Sequence, residues 1–516
     1  MKTRKTVILL SFMLFALYNI QAQEFLPMLN DNYMGINQVV LQPASIADSK
    51  FKIDINIVGI NGDLYNDFIQ FKREGIINPF GIITNKNWWD DYSFMTKPSD
   101  EARNAFVNLT VMGPGFMVSL PKDFAIGFTS KLRNIINIDG LGDALGRSIY
   151  EDFAYKPAWN IWHHDKDIRF IHHLYADYGL TVARKLFSDK NHQIKGGITV
   201  KLLQGLGATY MQIDDFYYMI HQPNPSASKA DYVSWNTPYA YLGFSDNWGH
   251  YNAPGDFEFD WKYKFISKPS LGLDLGAVYE FRKNSGEAGN KTAENSYNGA
   301  SSANKYFLKV GVSVIDIGRL RYDRFHSNDF KIISTLDYKS RYDNGDNSTP
   351  NNTFWMNIRN FSMDFPPYYV FYDSLTLRES LIKGVEFNLN ISEKFDIQLP
   401  TAFSLQVDVN PYKCFYVNLT TYTALHQTYG NTSNSHYIST YGLTPRIEQQ
   451  WYSVMLPLTV NQYGKVNLGL GVRASYVYFG INNIFSGLLN NTFGTNFYLG
   501  AKIPVWYSKD NNGGCK

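Results

Sequence analysis

The run "WHHDKDIRFIHH" gathers His163, His164, Asp165, His172 and His173. Imidazoles beside a carboxylate can bind Zn²⁺ or Cu²⁺. On a strand, however, adjacent histidines point to opposite faces, so neither His pair chelates from one side. An aromatic loop rim or a strand entry is the plainer reading, and no metal is assigned. The run "DGLGDALG" places Gly140, Gly142 and Gly146 after a strand, at the start of a helix-like segment over 142–153. Its spacing is GxGxxxG and no βαβ alternation surrounds it, so no cofactor is expected. "DSLTLRES" offers Ser374 and Ser380 without an assignable base. No GxSxG, HExxH or Walker sequence occurs. The chain does not read as an enzyme.

The elements that would have to carry any site are strands. In "SLGLDLGAVYEFRKN", Leu271, Leu273, Leu275, Ala277, Tyr279 and Phe281 alternate with Gly272, Asp274, Gly276, Glu280 and Arg282. The same period of two recurs in "FKIDINIVG", in "FMVSLPKDFAIGFTSKL" with a tight turn at Pro121-Lys122-Asp123, and in "YGLTVARKLFSDKNHQIKGGITVKLLQG" with a turn in 188–191. It returns in "KYFLKVGVSVIDIG", "AFSLQVDVN", "CFYVNLTTYTAL" and "NFYLGAKIPVWY". With weaker strands near 330–339 and 382–392, the pattern predicts about fourteen strands. Many exceed the ~9–11 residues that cross a bilayer at a tilt. A kink is expected at Gly113-Pro114-Gly115, because proline cannot donate to the ladder.

The bulk numbers agree with a strand protein of unusual polarity. Of 516 residues, 18% are charged and 16% aromatic, and the net charge is +2. Mean hydropathy is −0.28, which excludes a helical membrane protein but not one that crosses with two-faced strands. No basic stripe argues for nucleic acid. Residues 1–22 read as a signal peptide: Lys2, Arg4 and Lys5, an apolar run from Val7 to Leu17, and a cut after Ala22. No cysteine follows it for lipidation. Cys414 and Cys515 are too few for a disulfide scaffold, and a bond between them stays open.

A soluble sheet buries its apolar face, whereas a membrane barrel turns it toward lipid. Strand length, a polar face of charges mixed with Gly, Ser, Thr and Asn, and aromatics near strand ends favour the second arrangement. Long loops at 61–104, 140–168, 214–257, 283–304, 340–380 and 426–449 alternate with short turns, another habit of outer-membrane barrels. The fold expected is all-β: a closed antiparallel transmembrane β-barrel of about fourteen strands over 51–507, with long extracellular loops. A segment at 23–50 is a candidate plug, and 508–516 form a polar tail.

The segments "LQPASIADSKFKIDIN", "LTVARKL…HQIKGGITVKLLQG", "LGLDLGAVYEF", "KVGVSVIDIGRLRY", "LPTAFSLQVDVN" and "YFGINNIFS" follow one another over most of 34–507. In that order they resemble Bacteroidetes outer-membrane barrels of the PorV/FadL-like superfamily, and the DUF5723-type family within it. Gln42 stands where the resembled Asn-Pro-Ala segment has asparagine. The tail after Tyr507 is a departure, since such barrels often end on an aromatic residue. The resemblance implies a cell outer-membrane location. It also implies either of two functions: conducting a small hydrophobic or amphipathic molecule, as FadL-like members do, or serving type IX secretion, as PorV-like members do. The partners expected are outer-membrane lipid and either such a molecule or a secretion-system protein, with no cofactor. The candidate interior-lining residues are Asp274, Glu280, Arg282 and Lys309. Gly113, Pro114 and Gly115 are candidates for a lateral gap. Trp88, Trp89, Trp159 and Trp162 are candidate loop contacts.

Overall fold

The computed structural model describes residues 26–74, 91–222, 265–282, 306–323 and 394–506, with breaks at 152, 267 and 426–433, and the backbone of short strand segments between 232 and 364. Period-two alternation yields long strands. Trp162–Ser188 and His192–His221 run for 27 and 30 residues, where ordinary strands reach ~5–6. Their turn is closed by Asp189, whose carboxylate accepts the N–H groups of Asn191 and His192 at 2.8 and 2.6 Å, as aspartate does in turns. The turn between Gly115–Ser119 and Phe124–Leu141 has Lys122 and Asp123 both at positive φ, 60° and 64°. Consecutive left-handed residues match the twist of a tight hairpin.

Among the described residues the strands form one 22-stranded sheet and two 2-stranded ones. Phe51–Asn66 pairs antiparallel with Gly494–Trp506 on one side, and with Arg103–Met112 and Gly115–Ser119 on the other. His192–His221 pairs along one edge with Trp162–Ser188. Its other edge serves Ser270–Phe281, Ala240–Phe244 and Tyr232–Asn236 in succession.

The closed barrel of about fourteen strands expected from the pattern is therefore corrected. The sheet is mostly antiparallel but is not evenly curled into a closed barrel. Even curling needs staves of matched length and constant stagger. Here strand lengths within the sheet run from 3 residues in Val466–Leu468 to 30 in His192–His221. Strand segments are interrupted at Gly113-Pro114, at Leu456-Pro457 and at Gly469, where Pro114 and Pro457 have no N–H to donate.

Of the weaker strands, 382–392 lies outside the described residues, and Ile332–Ile333 is the described strand within 330–339. The helix-like segment is a helix over Asp143–Tyr150. Cys414 is disulfide-bonded, and Cys515 lies outside the described residues.

Polarity runs opposite to that of a soluble sheet. Leu271 is 71% exposed and Leu180 54%, while Asp274 between the leucines of its strand is 1% exposed and Asp177 is fully buried. Arg446 and Arg473 head the largest fully buried side chains. Residues 26–50 lie within this polar interior as a short helix, Leu26–Leu29, and two 3-10 turns, Gly35–Val40 and Pro43–Ile46. Ile36, Val39, Ile46 and Ala47 pack on Met117, Ala125 and Ala183 of the surrounding strands.

Candidate functional site

The seat of residues 26–50 is built from the polar phase of many strands. Asp31 accepts from the Arg473 guanidinium at 2.8 Å and from Ser453. Asn32 donates to the Glu448 carboxylate at 2.9 Å and to the Tyr306 hydroxyl at 2.8 Å, and accepts from Lys309 at 3.1 Å. The Ile36 N–H reaches Asp54 at 2.9 Å, and Lys502 joins Asp54 (3.0 Å) to the Tyr33 carbonyl (2.6 Å). The Gln42 amide donates to the Val312 carbonyl at 3.0 Å and the Ala277 carbonyl at 3.2 Å. Asp48 meets Gln193, Arg282 and Lys185. Arg446 ties the seat together, bridging Asp408 at 2.7 Å and Glu448 at 2.8 Å.

The segment carries charges that its surroundings shift. Burial works against the Asp31 charge, yet Arg473 and the hydroxyl of Ser453 hold its carboxyl below the usual range. Burial pushes the Lys50 ammonium down to about 8, against the pull of Glu448 3.9 Å away. A lysine with a lowered folded value weakens the fold while it must stay charged. Between pH 8 and its ordinary 10.5 the folded chain releases that proton and the unfolded chain keeps it, so stability rises with pH across this window. Unfolding midpoints followed from pH 7 to pH 10 should rise for the native chain. They should rise less for Lys50→Met, which is expected to be the more stable of the two at pH 7 by on the order of 1–2 kcal/mol.

A second cluster lies among the strands. Lys201 bonds Asp274 at 2.6 Å and also meets Asp316, Arg133 meets Asp316 at 2.8 Å, and Lys131 meets Asp177 at 3.1 Å. Asp316 is placed by its backbone: φ is 57°, opposite a register shift at Leu273/Leu275, and its N–H donates to Asp274 at 2.7 Å. A bulge of this kind re-aims a side chain without ending the pairing. Tyr437, from the chain after the 426–433 break, reaches the same cluster and donates to Asp316 at 2.6 Å. Three cations and three carboxylates balance, as a buried cluster requires.

The sequence-nominated residues divide. Asp274 belongs to the cluster just described. Glu280 bonds Lys195 at 2.6 Å and Arg282 at 3.2 Å, and Arg282 also meets Asp48. Register sets Glu280 opposite Lys309, but the Lys309 ammonium is directed to Asn32 on the N-terminal segment. At Gly113-Pro114-Gly115 the strand breaks, and side chains replace lost ladder bonds: Asn56 donates to the Gly113 carbonyl and Ser130 to the Pro114 carbonyl, both at 2.8 Å. Trp159 packs against a cluster holding Phe153, Phe216 and Tyr218, whereas Trp162 is 56% exposed. Trp88 and Trp89 lie outside the described residues.

His163 bonds the Ala158 carbonyl, His164 stacks on Tyr217, His172 bonds Asn134, and His173 bonds Tyr322. The run is thus split among four surroundings. Among the described residues no group of His, Cys, Asp or Glu is placed to hold a metal. The residues missed from sequence are Asp31, Arg446, Glu448, Asp408 and Arg473. The four on strands share one legible signal, a charge on the polar phase of a strand.

Glycine makes room for the segment. A Cβ on Gly197 would stand 2.4 Å from the Pro43 carbonyl carbon and 2.5 Å from the Ala44 nitrogen. Backbone atoms cannot swing away as a side-chain tip can. Gly197→Ala should therefore destabilise the chain by about 1–3 kcal/mol, read as a lower thermal midpoint in detergent.

These features define a class: a strand protein turned inside out, with a charged, filled interior and an apolar exterior. The chain belongs to the family described as "Family of unknown function (DUF5723)", which it matches over residues 43–482. Among solved structures it is similar to a Pseudomonas aeruginosa FadL homologue, at 9% identity over 92% of this chain and 95% of that one, with a TM-score of 0.37. It is also similar to the Ralstonia pickettii toluene transporter TbuX (8% identity, 92% and 94% covered, TM-score 0.37) and the P. putida toluene transporter TodX (6%, 91% and 92%, 0.34). No curated protein matches.

Proposed function

We propose that the protein is exported by its signal peptide to the outer membrane and crosses it with strands whose apolar side chains meet lipid. The observation that carries this is the inverted polarity. Each Leu, Ile or Val held in water instead of an apolar medium forfeits about 1.5–3 kcal/mol, and exposed ones recur from Ile55 to Val505. Lipid removes that penalty. Tyr412, Trp451 and Tyr476 are exposed beside the short turns, where an interfacial aromatic belt would stand.

Within that membrane setting the protein acts as a FadL-like conduit for a small hydrophobic or amphipathic molecule, with residues 23–50 as its plug. The cavity between the segment and Glu280, Lys195 and Lys309 measures ≈ 30 Å³, room for a water or two and far below the ~300 Å³ of a ligand pocket. In this reading the segment closes the path at this point, and conduction requires it to move. One observation favours a second reading, a PorV-like scaffold: the same filled interior is paired with exposed Ile149, Ile161 and Trp162 around the 142–161 connection.

The test is fractionation followed by uptake. The chain should be found in outer membranes and need detergent for release. Cells expressing it should take up a labelled fatty acid faster than cells lacking it. Release without detergent sinks the membrane assignment. Membrane residence without faster uptake, together with co-purifying secretion components, supports the scaffold.

A further inference from the structure

On the outer face, one row of side chains crosses four strands. Register sets Arg184 beside Gly196, Gly196 beside Ala277, and Ala277 beside Val312. The neighbouring outward row holds Ile198 and Leu275, which are bulky and exposed. Gly196 and Ala277 therefore floor a dent in an otherwise thick apolar wall. The resulting groove measures ≈ 570 Å³ and is walled by Leu186, Ile198, Leu275 and Val312. Arg184 stands at its edge. It is exposed, and its guanidinium lies 4.6 Å from the ring of Phe124, the first residue after the 120–123 turn.

The groove has a definite depth. Its row lies four residues from the strand ends at Ser188, His192, Phe281 and Leu308. At ~3.3 Å per residue and a ~45° tilt, that is roughly 10 Å inside the membrane boundary. Of the connections at this end of the strands, 282–307 is long, but those at 120–123, 189–191, 413–414, 449–451 and 475–476 are short, and a preponderance of short turns marks the periplasmic side of outer-membrane strand proteins. The groove thus opens on the periplasmic leaflet, the one made of phospholipid.

We propose that this groove binds one phospholipid, an acyl chain lying over Gly196 and Ala277 and the phosphate paired with Arg184. The proposal rests on the membrane reading given above. The walls supply apolar contact for a flexible chain. The arginine stem can run along the wall and lift its charge to the headgroup level, where guanidinium and phosphate match in charge and geometry. Behind the floor, Gly276 backs onto Gln42 and Gly197 onto Pro43. The bound chain is therefore separated from the N-terminal segment by a single layer of backbone.

The test is native mass spectrometry of the full chain extracted from outer membranes in mild detergent. The native chain should retain one phospholipid. Arg184→Gln should reduce the retained fraction about fivefold, the worth of one cation at a headgroup. Ala277→Trp, which fills the dent from the lipid side, should abolish retention. Because Arg184→Gln leaves the wall intact, it still decides the matter if the tryptophan variant fails to assemble. Equal retention in native and variant chains overturns the proposal, as does retention of a lipid A glycolipid in place of phospholipid. Detergent phase partition, run alongside, separates the two levels. A chain that stays in the aqueous phase overturns the membrane reading itself. A detergent-phase chain with unchanged lipid retention overturns this site alone.

Discussion

Arg446→Leu should lower the stability of the folded chain by about 3–5 kcal/mol, the usual effect of breaking a buried ion pair from one side. The guanidinium donates to both oxygens of Asp408, at 2.8 and 2.7 Å, and to Glu448 at 2.8 Å. All three side chains are sealed from solvent. Leucine would leave two desolvated carboxylates facing each other with no cation bonded to Asp408 and only Lys50, 3.9 Å away, near Glu448. The fork geometry matters as well as the charge, so Arg446→Lys should fall between native and leucine. Adding Asp408→Asn to Arg446→Leu should recover part of the loss, since it removes one orphaned charge. Urea titration in lipid vesicles, followed by tryptophan fluorescence, reads all four chains. A midpoint for Arg446→Leu equal to the native one would show that the cluster is hydrated and contributes little.

The alternation made one face of each strand legible. Asp408 in "LQVDVN" and Arg473 in "LGVRAS" sit on the polar phase, and both are buried. Which charges meet was not legible, because pairing depends on register across strands far apart in sequence. Asp31 and Arg473 lie 442 positions apart, and no local pattern links them. The Glu280 and Lys309 pair shows the same limit: their positions are opposite in the ladder, but a third element, Asn32, takes the lysine. The shape of the sheet was out of reach for a related reason. Closure depends on stagger and stave length, and the 30-residue strand His192–His221, with several partners on one edge, looks in sequence like an ordinary strand followed by loop. Residues 26–50 were noticed by position. Their seat could not be read, because short 3-10 turns have no periodicity to reveal a buried face.

Asp31→Ala should unseat residues 26–50 while leaving most of the sheet intact. Asp31 accepts from Arg473 Nε at 2.8 Å and from the Tyr33 N–H at 2.8 Å, and it also holds Ser453. The rest of the Arg473 guanidinium is bound to the carbonyls of Gln449 and Gln450, at 2.7 and 3.1 Å. Alanine therefore strands a cation that cannot turn away, again a penalty of about 3–5 kcal/mol. Here it falls on one local opening and not on the whole fold. Amide exchange in 26–50 should accelerate by about a hundredfold or more, with exchange in Trp162–Ser188 nearly unchanged. Acid should mimic the substitution. Because the folded Asp31 carboxyl lies below its usual value, its contribution is present above the ordinary carboxylate range and is lost as pH falls through the folded value. Uptake measured on the same variant then separates the two functional readings. A conduit whose plug is loosened passes more of the labelled fatty acid than the native chain, because the barrier is the segment itself. A scaffold with a loosened filling passes no more than before, since its task lies in its loops. Accelerated exchange without accelerated uptake would therefore turn the assignment from transport to docking.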